Sequence, residues 1–353
     1  MKIALIAPLY EAVPPRLYGG TERIVAHLAD ALVELGHQVT LFACADAQTK
    51  AELIAVRDQA IRLDPHPLKS DLASHLSLLD EVRCRAESYD VLHFHIDLLH
   101  FPVFEHMAQK TLTTLHGRLD IKGLEEVYAR WPSYPLVSIS DQQREALPSA
   151  NWFGTVHHGL CPNVYSFCER PRNDYLAFLG RISPEKRPDR AIAIARKAGL
   201  PLKIAAKVDV VDQGYFREVI EPLLQLPGVE FIGEISDAQK PAFLGNARAL
   251  LFPIDWPEPF GLVMIEAMAC GTPVIAWRCG SVPEVIEPGL TGAIVDNEND
   301  ALEALKTLHL IDRHSVRRRF EQRFSALAMA KRYEVLYRRL CDRQKPLHSV
   351  QQA

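Results

Sequence analysis

The chain has 353 residues, of which 48% are hydrophobic and 24% are charged, and its formal net charge is -4. A chain of this length is too long for one ordinary hydrophobic core and suits two domains. The balance of apolar and charged residues is that of a folded globular protein and argues against extended disorder. Because general nucleic-acid-binding proteins are more often basic, the slight negative charge also predicts that nucleic acid is not a partner.

The seven cysteines are scattered along the chain and form no C-x-x-C pair. Their odd number and their spacing argue against a disulfide framework and against a zinc site, so we predict reduced thiols and no bound metal. The first residues run directly into a strand-like pattern, and no uncharged apolar run reaches the length of a membrane-spanning helix. We therefore expect a cytoplasmic protein without a signal peptide.

The C-terminal region is strongly basic. From Asp312 to Lys345 it contains eleven Lys or Arg residues and four Asp or Glu residues. Two interpretations stay open here. The charges form either a solvated face of terminal helices or a surface for peripheral contact with anionic lipids at the inner face of a membrane.

Apolar runs and helical patterns alternate along the first half of the chain. Residues 3–7 form a continuous apolar run that is typical of a buried parallel strand, and a turn region rich in proline and glycine follows. Apolar residues then recur at helical spacing from Ile24 to Leu35, and Gly36 fits the end of this helix. Further strands are predicted at residues 39–42, 90–95, 111–115 and 136–140. This order of elements is that of a doubly wound sheet.

The same alternation restarts near Tyr175. Helices are predicted at about residues 191–198 and 262–269, and strands at residues 175–179, 202–206, 229–232, 249–253 and 272–276. The restart indicates a second α/β domain. We place the two domains at residues 1–165 and 166–327, and we expect an amphipathic helix at about residues 328–345.

Ligands of open α/β sheets bind beyond the carboxyl ends of the strands, and three unusual segments of this chain lie there. The first is Tyr18–Glu22, in which Gly19 and Gly20 precede the first helix. Two glycines allow a ligand to approach the backbone closely, and a helix N-terminus favours an anion. A plain tight turn is the alternative, and the segment does not match the G-x-G-x-x-G fingerprint of dinucleotide binding.

The second segment, Gly180–Arg187, follows a predicted strand and precedes a helix. The guanidinium of Arg181 and the ammonium of Lys186, placed near a helix N-terminus, would make a clamp for a diphosphate. The alternative is a solvated basic loop in which Ser183 caps the helix.

The third segment, Asp255–Val274, carries two carboxylates eight positions apart. Glu258 lies in the loop before a predicted helix, and Glu266 lies about one turn inside that helix. The helix start also offers free backbone N–H groups, at Phe260, Gly261 and Leu262. Two acceptors and a cluster of donors suit a ligand with many hydroxyl groups and a phosphate. Taken singly, each glutamate would be a capping residue or a helix-surface residue.

This third segment resembles the donor-binding motif of glycosyltransferase family 4, the retaining enzymes of the GT-B fold. The resemblance rests on the two glutamates with seven residues between them and on the A-M-A-C-G-T-P-V-I-A that follows. Other family motifs match in the same order over nearly the whole chain: G-G-x-E at Gly19, D-V-L-H-x-H ending at His95, G-R-x-x-x-x-K at Gly180 and G-S-V-P-E at Gly280.

The resemblance implies an α/β structure of the GT-B fold, in which two Rossmann-like doubly wound parallel-sheet domains face a central cleft. The first domain would bind the acceptor and the second the nucleotide-sugar donor, and the C-terminal helix would pack back on the first. Neither a cofactor nor a metal is implied, because the nucleotide sugar is a substrate.

The resemblance also implies roles for residues of the second domain. Arg181 and Lys186, with Gly180 beside them, would hold the donor diphosphate and stabilise the leaving group. Glu266 would accept hydrogen bonds from the ribose hydroxyls. Glu258 would hold the transferred sugar together with the backbone amides of Phe260, Gly261 and Leu262.

In the first domain, Gly19 and Gly20 would bring backbone N–H groups to the phosphate, and His95 would sit beside the sugar to orient or polarise it. His116 and Glu22 are left as supporting residues or acceptor contacts. His93 is expected in the core.

The resemblance predicts a retaining glycosyltransferase that moves a hexose from a nucleoside-diphosphate sugar to a glycan, lipid-linked or small-molecule acceptor. A UDP-sugar is the first expectation for the donor, ahead of GDP-mannose and ADP-glucose. Three alternatives stay open: an epimerase or phosphorylase of the same fold, an NAD-dependent oxidoreductase, and a non-catalytic protein that binds sugars. The missing dinucleotide fingerprint counts against the oxidoreductase, and the oligomeric state is not predicted.

Overall fold

The computed structural model of the chain describes residues 1–66, 68 and 70–344. It divides into two compact units, each built around one sheet. Unit 1 comprises Met1–Gly159 together with the stretch from Ala326 onward, and unit 2 comprises Leu160–Ser325. This division falls slightly before the boundary at 165/166 that the sequence suggests, because the residues that follow Leu160 pack on unit 2.

The sheet of unit 1 contains strands β1 (Lys2–Ile6), β2 (Gln38–Ala43), β3 (Glu52–Ala55), β4 (Val91–Phe94), β5 (Thr111–Thr114), β6 (Leu136–Ser138) and β7 (Trp152–Thr155). They pair in parallel in the order β3-β2-β1-β4-β5-β6-β7. In the centre, Ile3 of β1 lies opposite Val39 of β2 and Val91 of β4. The central strands are buried, which explains why their sequences are continuous apolar runs.

Five helices of unit 1 lie between its strands: α1 (Gly20–Glu34), α2 (Asp71–Arg85), α3 (Phe101–Phe104), α4 (Leu124–Tyr128) and α5 (Asp141–Arg144), as counted in the described part of the chain. Helix α1 begins directly after the glycine-containing loop and buries Ile24, Leu28 and Leu32. The side chain of Ser70 caps α2 by accepting a hydrogen bond from the Ala73 amide at 3.2 Å.

The sheet of unit 2 contains strands β8 (Leu176–Arg181), β9 (Leu202–Lys207), β10 (Val229–Gly233), β11 (Ala249–Phe252), β12 (Val274–Trp277) and β13 (Gly292–Val295). They also pair in parallel, in the order β10-β9-β8-β11-β12-β13. The described helices are α6 (Pro188–Ala198), α7 (Gln213–Tyr215), α8 (Glu221–Leu224), α9 (Lys240–Gly245), α10 (Leu262–Ala269), α11 (Val282–Val285), α12 (Glu298–Thr307) and α13 (Arg313–Phe324). Both units are therefore doubly wound α/β domains.

The C-terminal helix α14 (Ala326–Gln344) belongs to unit 1. Tyr333 and Tyr337 on this helix are fully buried. The Tyr337 hydroxyl lies 2.7 Å from His93 Nδ1, and the Tyr333 hydroxyl lies 2.9 Å from Thr114 Oγ1. These bonds tie α14 to the ends of β4 and β5. Lys345, which the sequence includes in this helix, lies outside the described residues.

Each sheet has a point where the strand order reverses, between β1 and β4 in unit 1 and between β8 and β11 in unit 2. Loops that leave neighbouring strands in opposite directions open a crevice at their carboxyl ends, and this is where doubly wound sheets bind ligands. Among the described residues, no helix combines the length and the apolar character that crossing a bilayer demands.

Candidate functional site

The strand reversal of unit 2 brings two of the predicted donor segments together. Arg181 is the last residue of β8, so it lies at the strand end and not in the loop that the sequence suggests. The loop after the neighbouring β11 is tied to the segment after β8, because the Asp255 amide donates to the Glu185 carbonyl at 2.8 Å. Arg187, held at a left-handed φ of +54°, bridges Asp189 and Asp255. The two loops are thus fixed relative to each other.

Lys186 and Glu258 form a direct ion pair across these loops. Both side chains are largely buried, with 19% and 12% of their surface exposed. The Lys186 ammonium also lies 4.8 Å from the centre of the Trp256 ring, within the range of a cation–π contact. The predicted diphosphate cation and the predicted sugar-binding carboxylate therefore meet and neutralise each other.

Three carboxylates surround the guanidinium of Arg181. Glu185 accepts a hydrogen bond from it, and carboxylate oxygens of Asp209 and Asp212 lie 3.5 Å away. Burial alone would raise the pKa of Glu185, but hydrogen bonds and the charge of Arg181 outweigh burial, and the pKa of this carboxyl is lowered. Arg181 is therefore an oriented cation in an acidic surrounding.

A tight turn at Gly280 and Ser281 packs against the loop that carries Glu258. Gly280 has a φ of +55°, and a Cβ atom at this position would overlap the backbone of Glu258. The Ser281 amide donates to the Glu258 carbonyl at 3.0 Å, and the Ser281 hydroxyl donates to the Phe260 carbonyl at 2.7 Å. The Gly280 motif noticed in the sequence thus shapes the loop that carries Glu258.

The start of α10 also requires a glycine. Gly261 has a φ of +77°, and a Cβ there would lie 2.9 Å from atoms of Met264 and Phe252. Phe260 is 2% exposed, whereas Leu262 is partly exposed at the first position of the helix. By contrast, a Cβ at Gly180 would meet no described atom within 4 Å, so the backbone of this residue faces open space.

Glu266 lies inside unit 2 and already has two partners. Its Oε1 accepts hydrogen bonds from Lys240 at 2.7 Å and from the Tyr165 hydroxyl at 2.9 Å. Neither partner is predictable from the sequence, because Lys240 looks like an ordinary helix-surface lysine and Tyr165 lies 101 residues away in the linker region. Only the tertiary structure brings these residues together.

In unit 1, the glycine-containing loop follows β1. Gly19 has a φ of +150°, and a Cβ there would come within 2.7 Å of Pro15. Arg23 holds the loop, since its guanidinium donates to the carbonyls of Leu17 at 2.8 Å and of Gly19 at 3.3 Å. Gly20 is the first residue of α1. Glu22 is 5% exposed in the first turn of α1, and burial raises the pKa of its carboxyl.

Two histidines meet beyond the next strands of unit 1. His95 follows β4 and His116 follows β5, and His95 Nδ1 lies 2.8 Å from His116 Nε2, so one ring donates to the other. His95 is 3% exposed, whereas His116 is partly exposed. Burial lowers the pKa of His95 well below its usual range and that of His116 to about 3, so both rings are neutral. His93 lies in the core, as predicted.

Asp97 is a residue of this region that the sequence analysis missed. It lies two positions after His95, is exposed and has a left-handed φ of +50°. Aspartate adopts this conformation more readily than most non-glycine residues, at a modest cost in strain, and such residues occur at functional sites as well as in turns. The sequence gives no signal for it, because aspartate is common in ordinary loops as well.

A separate cavity of about 280 Å³ lies at the amino ends of β8 and β9. Its lining includes Tyr175, Lys203, Ile235 and Phe243. The predicted donor segments lie at the opposite, carboxyl ends of the strands, so this cavity does not include them. Within the described residues, no group of three or more histidine, cysteine, aspartate or glutamate side chains is arranged to hold a metal ion.

Several of the basic C-terminal residues form hydrogen bonds and ion pairs inside unit 2. Arg313 donates to the carbonyls of Gly245 at 2.7 Å and Ala247 at 3.0 Å. Arg319 and Arg323 both pair with one carboxylate, that of Glu287. These arginines stabilise unit 2, so the excess of basic residues in the sequence overstates the charge that the surface displays.

Comparison with known proteins identifies the family. Residues 18–194, half of the chain, match the family described as Glycosyltransferase Family 4, and residues 169–324 match the family described as Glycosyl transferases group 1. The chain belongs to glycosyltransferase family 4. This glycosyltransferase thus has family matches over both units, and the two-domain α/β architecture is that of the GT-B fold.

Individual proteins agree with this assignment. The chain is 24% identical over 348 residues to an uncharacterized glycosyltransferase of Methanocaldococcus jannaschii, with 85% of this chain and 86% of the relative covered. It is similar to the solved structure of AviGT4, a glycosyltransferase involved in avilamycin A biosynthesis, with 25% identity, a TM-score of 0.74, and 97% and 98% of the two chains covered. Anabaena HepE, solved with UDP and glucose, shares the fold at 18% identity and a TM-score of 0.72, with 95% and 98% covered.

Proposed function

We propose that this glycosyltransferase is a retaining enzyme that moves a hexose from a nucleoside-diphosphate sugar to a hydroxyl group of a glycan, lipid or small-molecule acceptor. The observation that carries the proposal is the convergence of Arg181, Lys186 and Glu258 at the strand reversal of unit 2. Family membership favours sugar transfer over the oxidoreductase alternative. The neighbour HepE was solved with UDP and glucose, which supports a UDP-sugar as the first donor to test.

The donor would be held by charge at one end and by hydroxyl contacts at the other. Arg181 and Lys186 supply two cations for the diphosphate, and guanidinium and ammonium groups bind phosphate oxygens strongly. When the diphosphate forms an ion pair with Lys186, it replaces Glu258 as the partner of this lysine. The Glu258 carboxylate can then accept hydrogen bonds from the sugar. The amides at the start of α10, from Phe260 to Leu262, are the matching donors.

The chemical step breaks the bond between the anomeric carbon and the diphosphate oxygen and forms a bond from the same carbon to the acceptor oxygen. The acceptor proton passes to the departing phosphate, so atoms and charge balance. Retention follows when the acceptor attacks from the face that the leaving group vacates. The two cations stabilise the charge that develops on the diphosphate, and we propose that no metal ion is needed for this.

For unit 1 we propose that His116 is the histidine that contacts the sugar and that His95 supports it. His116 is the more exposed of the pair, its Nε2 lies 2.8 Å from His95 Nδ1, and its other ring nitrogen, Nδ1, is buried without a hydrogen-bond partner among the described residues. A neutral ring suits this role, because it orients a hydroxyl group without adding a positive charge. This reverses the order of importance that the sequence motif suggests for the two residues.

A calorimetric titration with UDP, GDP and ADP tests the donor site. We expect the wild-type protein to bind one of them, and Arg181→Ala to weaken that binding about tenfold or more, since it removes a charge-assisted contact. Arg196→Ala is the matched control, because Arg196 is exposed in the last turn of α6. The binding should persist in EDTA. A folded wild-type protein that binds none of the three nucleotides would contradict the proposal.

A further inference from the structure

Glu266 is held by an arrangement of buried side chains that the proposed reaction does not itself require. Lys240 and Tyr165 both donate to Oε1 of this carboxylate. Glu266 is 2% exposed, Lys240 7% and Tyr165 0%. The carboxylate, its counter-ion and a neutral donor thus come from three separate segments and are buried together.

The segments that carry these residues are themselves fixed. Arg317 of α13 donates to the carbonyl of Tyr165, to that of Pro162 at 3.3 Å and to that of Ala269 at the end of α10. One guanidinium therefore anchors the Tyr165 segment to the helix that contains Glu266. Lys240 is the first residue of α9, and its ammonium also lies 2.9 Å from an oxygen of Asp237.

Burying an ion pair is not a general way to stabilise a fold, because desolvation offsets much of the attraction and apolar residues would pack as well. A buried pair is therefore better understood as a device that fixes geometry. Here both donors converge on Oε1, so neither of them competes with a ligand for Oε2. A carboxylate is a strong acceptor for hydroxyl groups.

We propose that Lys240 is a positioning residue that, together with Tyr165, fixes Glu266 as the acceptor for the ribose hydroxyls of the donor, the 2′-hydroxyl included, and so selects ribonucleotides over 2′-deoxyribonucleotides. The inference rests on the proposed function and on the family resemblance, which implies that Glu266 accepts hydrogen bonds from the ribose. Lys240 itself does not contact the donor in this account. Its effect reaches the nucleotide through the orientation and charge of Glu266.

Removing the lysine charge has a specific consequence. In Lys240→Met, the buried Glu266 would lose its counter-ion and one of its two hydrogen-bond donors, so its side chain would no longer be fixed. The acceptor for the 2′-hydroxyl would be lost, while Arg181 and Lys186 would still hold the diphosphate. The variant should therefore still bind the nucleotide, but it should no longer discriminate between ribose and deoxyribose.

The experiment measures dissociation constants for UDP, GDP and ADP and for their 2′-deoxy analogues on the full-length protein. We expect the wild type to prefer the ribonucleotide about tenfold or more, since a site built to bind a hydroxyl group rejects ligands that lack it. Lys240→Met should reduce this ratio to about one, Tyr165→Phe should reduce it in part, and Lys240→Arg should retain most of it. Lys197→Met is the matched control, because Lys197 forms an exposed ion pair with Glu298 in the same unit.

The outcomes separate this inference from the proposed function. A folded Lys240→Met protein with the wild-type ratio would overturn the inference and leave the donor site standing. A wild-type protein that binds a nucleotide but does not prefer ribose to deoxyribose would also overturn the inference and leave the donor site standing. If Lys240→Met does not fold, a wild-type ratio in Tyr165→Phe is the result that overturns it. A wild type that binds no nucleoside diphosphate would reject the proposed function, and this inference with it.

Discussion

Both cations that we assign to the donor diphosphate are paired with carboxylates of their own unit. Lys186 contacts Glu258, and Arg181 lies among Glu185, Asp209 and Asp212. A diphosphate that enters must compete with these carboxylates for the cations. In the mechanism that we propose, Glu258 therefore opposes binding of the diphosphate and favours binding of the sugar.

This competition predicts an unusual effect of Glu258→Gln. The substitution removes the carboxylate charge beside Lys186, so we expect the nucleoside diphosphate to bind about three- to tenfold more tightly, while sugar transfer slows about a hundredfold. Calorimetry measures the affinity for the nucleoside diphosphate, and a transfer or donor-hydrolysis assay measures the rate. Glu298→Gln, which alters an exposed ion pair, is the control. Weaker diphosphate binding by Glu258→Gln would contradict the predicted competition.

The two histidines of unit 1 give a second prediction at this scale. We expect His116→Ala to lower kcat/KM about a hundredfold and His95→Ala only about tenfold, because His95 acts through His116. Neither change should alter binding of the free nucleoside diphosphate. His106, which is exposed in the same unit, supplies the control His106→Ala. A larger loss in His95→Ala than in His116→Ala would restore the assignment that the sequence motif suggests.

At the scale of elements, the turn at Gly280 supports the loop that carries Glu258. We predict that Gly280→Ala lowers the free energy of unfolding by about 2–3 kcal/mol, since it combines a left-handed conformation with overlap on the Glu258 backbone. It should also raise the donor KM. Gly199→Ala is a matched control, because Gly199 has a φ of +66° but no described atom within 4 Å of its Cβ position. Thermal or urea unfolding should give a cost of only about 1 kcal/mol for the control. Equal costs would show that the contact with Glu258 is unimportant.

The sequence predicts the central strands of both sheets and the edge strand β10, but not the edge strands β3, β7 and β13. The central strand β1 is an apolar run because neighbours cover it on both faces. The edge strand β3 (Glu52–Ala55) shows no such run, because its residues are only half-buried, and β7 and β13 are similarly short and partly exposed. These three edge strands therefore lack the apolar run on which the prediction depends.

The residues of the candidate site are likewise predictable from the sequence only in part. Motifs that are continuous in sequence, such as the one from Glu258 to Glu266, could be found before the structure. The partners Lys240 and Tyr165 could not, because a contact between residues far apart in sequence depends on how helices and linker pack. The exposure that separates His116 from His95 is likewise a property of the folded unit.

At the scale of the whole molecule, the two units should differ in their response to acid. Burial lowers the pKa of six histidines of unit 1, which are His37, His93, His95, His100, His116 and His158. The histidines of unit 2, His309 and His314, are exposed. A histidine whose pKa is lowered on folding stabilises the fold above its unfolded pKa near 6.5, and this contribution is lost as the pH falls below that value.

We therefore predict that unit 1 loses stability first between about pH 6.5 and 5, by about 1.4 kcal/mol per pH unit for each such histidine. Hydrogen exchange followed by mass spectrometry at pH 7.5 and 5.5 would resolve the two units, with rates corrected for the intrinsic pH dependence of exchange. Faster exchange should appear in β4 and β5 before it appears in β8 and β11. Simultaneous loss of protection in both units, or none, would contradict this prediction.

The most direct test of the central claim is to follow a nucleotide sugar in the presence of the protein by proton NMR. UDP-glucose, GDP-mannose and ADP-glucose are offered in turn, with water as the default acceptor, to the wild type and to Lys186→Met. Our account predicts that the wild type consumes one donor and first releases the sugar as the α-anomer, which is retention, and that Lys186→Met is about a hundredfold slower. Release of the β-anomer first would contradict the retaining mechanism, and equal rates for the two proteins would contradict the donor site at the strand reversal of unit 2.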